Sequence, residues 1–215
     1  LLPDGAVPKR FLTKKQATPE CDSFLHLHLG INAEGLSPNL ACHHIVVNDW
    51  NAGITAPQNL ILISIPSLLD PTLAPPGKHT IHAYTPGNEP YDLWQGLDRR
   101  SEAYDRQKRE RVEVLWQALE RVIPDIRSRC EVTLAGTPLT HEQYLRRHRG
   151  SYGPAIRASE SLFPTSTTPL PGLFCCGDST FPGIGLPAVA ASGMITANTI
   201  APLKQHLTTL KQLNL

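Results

Sequence analysis

The sequence predicts an α/β protein in which a mixed or antiparallel sheet precedes a strand, glycine turn and helix suited to holding a ligand. Three observations carry this. Four β-prone runs, at 23–31, 44–48, 60–64 and 80–84, are separated by Gly, Pro and Asn turns; a long amphipathic segment follows at 101–122; and residues 172–193 pass from an apolar run through Gly177 and Asp178 into a glycine turn and a stretch of small residues.

The first four runs are punctuated by Ser37-Pro-Asn39, Ala56-Pro-Gln-Asn59 and Ala74-Pro-Pro-Gly77, the last leading into the fourth strand. In the first strand, alternation places His26 and His28 on one face, a spacing that offers two nitrogen ligands. Two ligands do not make a zinc site. The sequence places no third partner, and His43 and His44 are close only along the chain, so no metal is expected and polar lining of one sheet face is the preferred reading.

The segment 101–122 is predicted to be a helix, with Tyr104, Val112, Leu115, Trp116, Leu119 and Val122 as an apolar stripe and Arg106, Lys108, Arg109 and Glu110 facing water. Pro124 stops it. Residues 131–135 return to a strand, and Thr140 is expected to N-cap a short helix. The Arg146-Arg-His-Arg149 cluster reads either as a solvated helix end or as a grip for an anion or a neighbouring domain. Gly150, Tyr152 and Gly153 stand out more, because paired glycines let a backbone lie against a flat ring that a tyrosine borders.

A Ser/Thr/Pro-rich crossover at 161–171 leads to the apolar run 173–176, which lacks alternation as a strand covered on both faces does. Cys175 and Cys176 are then expected to be small buried hydrophobes rather than a redox pair. Asp178 follows at the carboxyl end of this run. The turn Phe181-Pro-Gly-Ile-Gly185 brings backbone N–H groups close to a ligand, and the next helix aims its positive end at the same place. A phosphate or pyrophosphate is the natural guest, with Gly177, Asp178, Pro182, Gly183, Ile184, Gly185 and Ala188 as the candidate cofactor-binding residues. Ala188, Ala190, Ala191, Ser192, Gly193 and Ala197 leave little side-chain bulk, so close packing against this helix is expected.

Composition excludes several classes. A formal charge of +1 gives no general attraction to nucleic acid, and 40% hydrophobic content over 215 residues is enough for a sizeable core. Apolar runs of roughly 18 residues are missing, so any membrane contact is expected to be peripheral. Five cysteines without repeated spacing argue against a disulfide framework. No Gly-x-Ser-x-Gly elbow occurs and Cys21 has no indicated base, which argues against hydrolysis. The single methionine is Met194, and the chain is expected to be a portion of a longer protein.

The segment Gly172-Leu-Phe-Cys-Cys-Gly-Asp-Ser-Thr-Phe-Pro-Gly-Ile-Gly185 resembles the carboxyl-terminal flavin segment of the carotenoid isomerase and phytoene desaturase-like FAD oxidoreductases. Pro66-Ser-Leu-Leu-Asp70, the stretch from Ala74 to Tyr84, Gly136-Thr-Pro-Leu-Thr140 and Arg149-Gly-Ser-Tyr-Gly-Pro154 look like the same family's landmarks in the same order, so the resemblance spans nearly the whole chain. It implies the carboxyl-terminal part of a two-domain FAD/NAD(P)-binding Rossmann-like flavoprotein. Residues 1–125 would be part of a mixed-sheet substrate domain, and 126–215 a returning segment that completes the FAD-binding domain. The resemblance also implies that Gly150, Tyr152 and Gly153 lie near the flavin.

The family's Gly-x-Gly-x-x-Gly turn for the ADP portion of FAD does not occur in these residues. An amino-terminal FAD-binding half is therefore the expected partner, and the chain alone is expected to be inactive. The implied activity is conversion of the cis double bonds of poly-cis lycopene to trans with reduced FAD. The alternatives are desaturation of a carotenoid or other isoprenoid, and a non-catalytic interaction module. A hydrophobic polyene substrate follows, and the resemblance places the protein in a plastid or a cyanobacterial cytoplasm, at a membrane surface. No catalytic residue is assigned, since a flavin carries the hard chemistry and the protein orients it.

Overall fold

A computed structural model describes residues 3, 5–157, 159 and 161–214. The chain forms two compact units, Cys21–Tyr152 and Leu1–Glu20 with Gly153–Leu215. The strands are β1 (His26–Asn32), β2 (His43–Val47), β3 (Leu60–Ser64), β4 (Lys78–Tyr84) and β5 (Cys130–Gly136). The helices are α1 (Lys9–Gln16), α2 (Glu102–Val122), α3 (Ile126–Arg129), α4 (Pro138–Leu145), α5 (Leu186–Ile200) and α6 (Leu203–Gln212). Among the described residues, no single helix is long and apolar enough to cross a membrane.

All five strands form one sheet in the unit Cys21–Tyr152, in the order β2-β3-β4-β1-β5. Every pairing is antiparallel, so the sheet is not mixed as the resemblance implied. The reason is topological. A parallel pair needs a long crossover, and the long helix α2 joins β4 to β5, which are kept apart by β1 lying antiparallel to both.

Alternation decides the faces. Leu25, Leu27, Leu29 and Ile31 are buried with Ile61, Ile63, Ile81 and Ala83, while the intervening His26, His28 and His82 lie on the other face. Tyr104, Val112, Leu115, Ala118 and Leu119 of α2 complete the core together with Trp94, each large apolar side chain contributing about 1.5–3 kcal/mol by burial. Trp116 and Val122 sit half-buried at the margin of the stripe. Ser101 caps α2 by accepting from the Tyr104 N–H at 3.2 Å.

A polar node lies inside this core. Glu89 is fully buried and accepts from Arg111 Nε at 2.9 Å and Nη2 at 2.7 Å, from Trp94 Nε1 at 2.9 Å, and from Gln58 Nε2 at 3.4 Å.

The helix expected to start at Thr140 starts one turn earlier. Thr137 is the N-cap, Pro138 holds the first helical position with its φ already set, and Thr140 sits at the third, where its Oγ1 accepts from the Thr137 N–H at 3.1 Å. Thr137 Oγ1 also meets the Tyr104 hydroxyl at 3.0 Å, tying α4 to α2.

The second unit corrects two further expectations. Residues 173–176 do not form a covered strand: only Phe174 pairs, across from Thr167, and Cys175 and Cys176 are exposed. An unalternated apolar run calls for a strand on either side, and the described residues supply a single bridge. The small-residue helix is only partly covered by the described residues. In α5 only Ser192 and Thr196 are buried, Ala190 is exposed, and a Cβ added at Gly193 meets nothing within 4 Å. Helices α1 and α6, which the sequence reading passed over, bury no residue.

Candidate functional site

The turn before α5 is built by its glycines. Gly177, Gly183 and Gly185 have φ of 121°, 120° and 104°, a region that L side chains rarely enter. A Cβ at Gly183 would sit 3.2 Å from the Phe163 ring, whereas at Gly177 and Gly185 it would point into open space. The Gly177 N–H donates to Ser192 Oγ at 3.0 Å, Thr180 Oγ1 donates to the Gly177 carbonyl at 2.9 Å, and the hydroxyls of Thr180 and Ser192 meet at 2.5 Å. These contacts lash the turn to the first turns of α5. The Gly177 N–H is thereby satisfied internally.

Beyond it the donors are open. Gly185 is the N-cap of α5 and provides no side chain, and the N–H groups of Gly183, Ile184, Gly185, Leu186 and Ala188 find no acceptor among the described residues. Five such donors beside a positive helix end fit an anionic group such as a pyrophosphate. Pro187 lacks an N–H and fills a first-turn position where none is required. Pro182 sets the turn's path, and half-buried Asp178 accepts from Ser179 Oγ at 3.2 Å. The residues present therefore fit the phosphate part of a dinucleotide cofactor. A cavity of about 510 Å³ in the same unit is lined by Phe11, Lys14, Lys15, Phe163, Pro164 and Cys175.

Gly150 and Tyr152 belong to the sheet unit, and Gly153 opens the other. Gly150 has φ 59°; Ser23 Oγ donates to its carbonyl at 2.6 Å, and an added Cβ would collide with the Pro138 carbonyl and lie 2.9 Å from Ser23 Oγ. Tyr152 packs edge-on against Phe24, with ring centroids 4.4 Å apart, and its ring covers Gly87 so closely that a Cβ there would be 2.9 Å from Cδ1. Gly153 has φ 142°. Of the arginine cluster, Arg147 Nε donates to the Ser151 carbonyl at 2.6 Å, and Arg149 pairs with Asp92 and lies over the Tyr91 ring. Arg147 holds its own loop, and Arg149 ties that loop to the segment at 91–92.

The histidine face of the sheet is richer than the sequence indicated. Antiparallel register puts His82 of β4 directly opposite His28 of β1, and His26 opposite Tyr84. The rings stack: His28 on His82 at 4.3 Å, His26 on His82 at 4.9 Å and His82 on Tyr84 at 4.7 Å, with interplanar angles of 5°, 8° and 15°. His141 of α4 comes within 4.7 Å of His26. Burial, reinforced by His141, His82 and His28, pushes the His26 imidazole down to about 2; burial and then His28 push His82 down to about 4. His28 is lowered by burial, and His141 by burial, then Arg147 and His28. At neutral pH these rings are uncharged. His82 and His141 were missed because their neighbours are cross-strand and helix-to-sheet contacts that no local spacing records.

The model of the family described as flavin containing amine oxidoreductase matches residues 19–201. The chain belongs to that family. Membership implies a flavin cofactor, in keeping with the anion-ready turn before α5. The chain is similar to the chloroplastic prolycopene isomerase of Arabidopsis thaliana, at 36% identity over 205 residues, covering 94% of this chain and 34% of the relative. The corresponding protein of Daucus carota is 35% identical over 205 residues, covering 94% and 33%. A 4,4'-diapophytoene desaturase (4,4'-diaponeurosporene-forming) of Staphylococcus aureus is 27% identical over 212 residues, covering 92% and 41%. The chain thus spans about a third of the length of the plant relatives it matches. An oxidoreductase of Methanosarcina mazei has a similar fold, with a TM-score of 0.53 at 18% identity over 90% of this chain and 37% of that one.

Proposed function

We propose that this chain is part of an FAD-dependent isomerase that converts cis double bonds of a poly-cis carotene such as prolycopene to trans. The observation that carries the reading is the 36% identity to plant prolycopene isomerase over 94% of the chain. When bound, a reduced flavin supplies transient electron donation that lowers the order of a conjugated double bond. The chain's own residues hold and orient. The open N–H groups of residues 183–186 and 188 would receive the pyrophosphate, with Pro182 shaping the turn that presents them. Asp178, being an acceptor, would take hydrogen bonds from ribityl hydroxyls, directly or through a water. Gly150, Tyr152 and Gly153 would border the flavin ring, and an FAD-binding half elsewhere in the protein would hold the adenosine. A polyene offers no group that needs an acid or a base. We place the protein in a plastid, where its plant relatives are named as residing, in peripheral contact with a membrane.

The desaturase relative supports a second reading, in which oxidised flavin accepts hydride from a saturated bond of a carotenoid or other isoprenoid. The full coding sequence expressed in a bacterium that accumulates prolycopene separates the two. All-trans lycopene of unchanged mass supports isomerisation, a product poorer in hydrogen supports desaturation, and unaltered prolycopene despite a flavin-loaded protein refutes the proposal.

A further inference from the structure

We infer that the imidazoles of His26, His28 and His82 form a binding site for a divalent late first-row cation of the zinc class. Their ligand nitrogens all lie within 4.8 Å of one another. They are held there by the sheet, since β1 presents His26 and His28 on one face and the β1–β4 register sets His82 opposite His28. Imidazole nitrogen suits zinc, copper and nickel far better than magnesium or calcium.

His26 Nδ1 and His82 Nε2 stand 2.6 Å apart and share one hydrogen. Two nitrogens on a tetrahedral zinc, each about 2.05 Å from it, lie about 3.3 Å apart, so replacing the shared proton by the ion moves these rings by less than an ångström. Exposed His28 supplies the third nitrogen, and a shallow pocket of about 270 Å³, bounded also by Leu134, Gly136 and His141, leaves room for a water or another molecule in the fourth position. The sequence pointed to only two of these ligands because the third arrives through strand pairing. The site does not depend on the reaction proposed above.

The test uses the purified, metal-stripped 215-residue chain dialysed against Zn2+, with bound metal measured by mass spectrometry. One ion per chain is expected, with affinity reduced roughly tenfold or more in His28→Asn and in His82→Asn. His44→Asn and His206→Asn, which alter histidines outside the cluster, are expected to bind as the unaltered chain does. Because His28 is exposed, His28→Asn is expected to keep the native circular dichroism. Co2+ in place of Zn2+ is expected to give visible bands of a low-symmetry site that vanish in His28→Asn. Failure to retain a stoichiometric ion at micromolar free Zn2+, or retention unchanged by His28→Asn, overturns the inference.

Discussion

Replacing Arg111 with methionine would remove two of the four donors to a carboxylate that has no contact with water. Glu89 is 0% exposed, and Arg111 provides its bonds at 2.9 and 2.7 Å; what remains is Trp94 Nε1 at 2.9 Å and a long contact from Gln58 at 3.4 Å. Leaving a buried charge without its partner costs about 3–5 kcal/mol. The side chain of Arg111 is 26% exposed, so some water reaches the vacated position and the lower half of that range is expected. In Arg111→Met/Glu89→Met the charge is gone; Trp94 loses its acceptor, a loss of about 1–3 kcal/mol for a donor left buried and unpaired, while Gln58 Nε2 keeps the backbone carbonyl of residue 111 at 2.9 Å. The double variant should therefore recover at least about 1 kcal/mol relative to the sum of the single losses, a coupling that a mutant cycle isolates. Urea unfolding followed by tryptophan fluorescence is the assay, because Trp50, Trp94 and Trp116 all lie in the unit Cys21–Tyr152 and report on it alone. An Arg111→Met protein within about 0.5 kcal/mol of the unaltered chain, the scatter of ordinary surface substitutions, would refute the reasoning.

Gly150→Ala is expected to destabilise the same unit by several kcal/mol, because φ 59° and the crowding by the Pro138 carbonyl and Ser23 Oγ act together; an unchanged urea midpoint would count against this. Asp178→Ala in the full-length protein should lower the flavin retained through purification, whereas stoichiometric flavin would exclude a cofactor contact there. With a chelator present, stability should be complete above the ordinary imidazole value of 6.5 and fall as pH drops toward 4, since the unfolded chain protonates His26 and His82 while the folded chain, with His28, His141 and Arg147 around them, resists. The slope is at most about 1.4 kcal/mol per pH unit for each ring, less where solvent reaches it, and a flat urea midpoint from neutrality down to that pH would contradict it.

Local pattern made the sheet legible. Leu25, Leu27, Leu29 and Ile31 announce β1 by alternation, and the apolar spacing from Tyr104 to Leu119 announces α2, because burial on one face imposes a period that the chain must carry. The antiparallel order was not legible, since it depends on which strand β1 accepts on each side. Thr140 misled for a related reason: threonine suits both the cap and the third position of a capping box, and Pro138 settles the choice. The run 173–176 carries the composition of a covered strand without the neighbours that would cover it among the described residues. In the candidate cofactor site the glycines were readable because each is required by backbone geometry, whereas the link from the Gly177 N–H to Ser192 requires α5 to fold back on the turn that precedes it.

The chain leaves and re-enters the unit of residues 1–20 and 153–215 at neighbouring points: Glu20 bridges to Pro154, and the Ala155 N–H donates to the Pro19 carbonyl at 2.8 Å. Within the sheet unit, the Tyr152 N–H donates to the Asp22 carbonyl at 3.2 Å and Ser151 Oγ to that of Cys21 at 2.8 Å. The sheet and its histidines are thus a module inserted in the sequence of the other unit, with its own two ends clasped side by side. Such a module is open to being lengthened, shortened or exchanged for another in evolution or in the laboratory, because a graft that respects the clasp keeps the spacing of the two chain ends it must join.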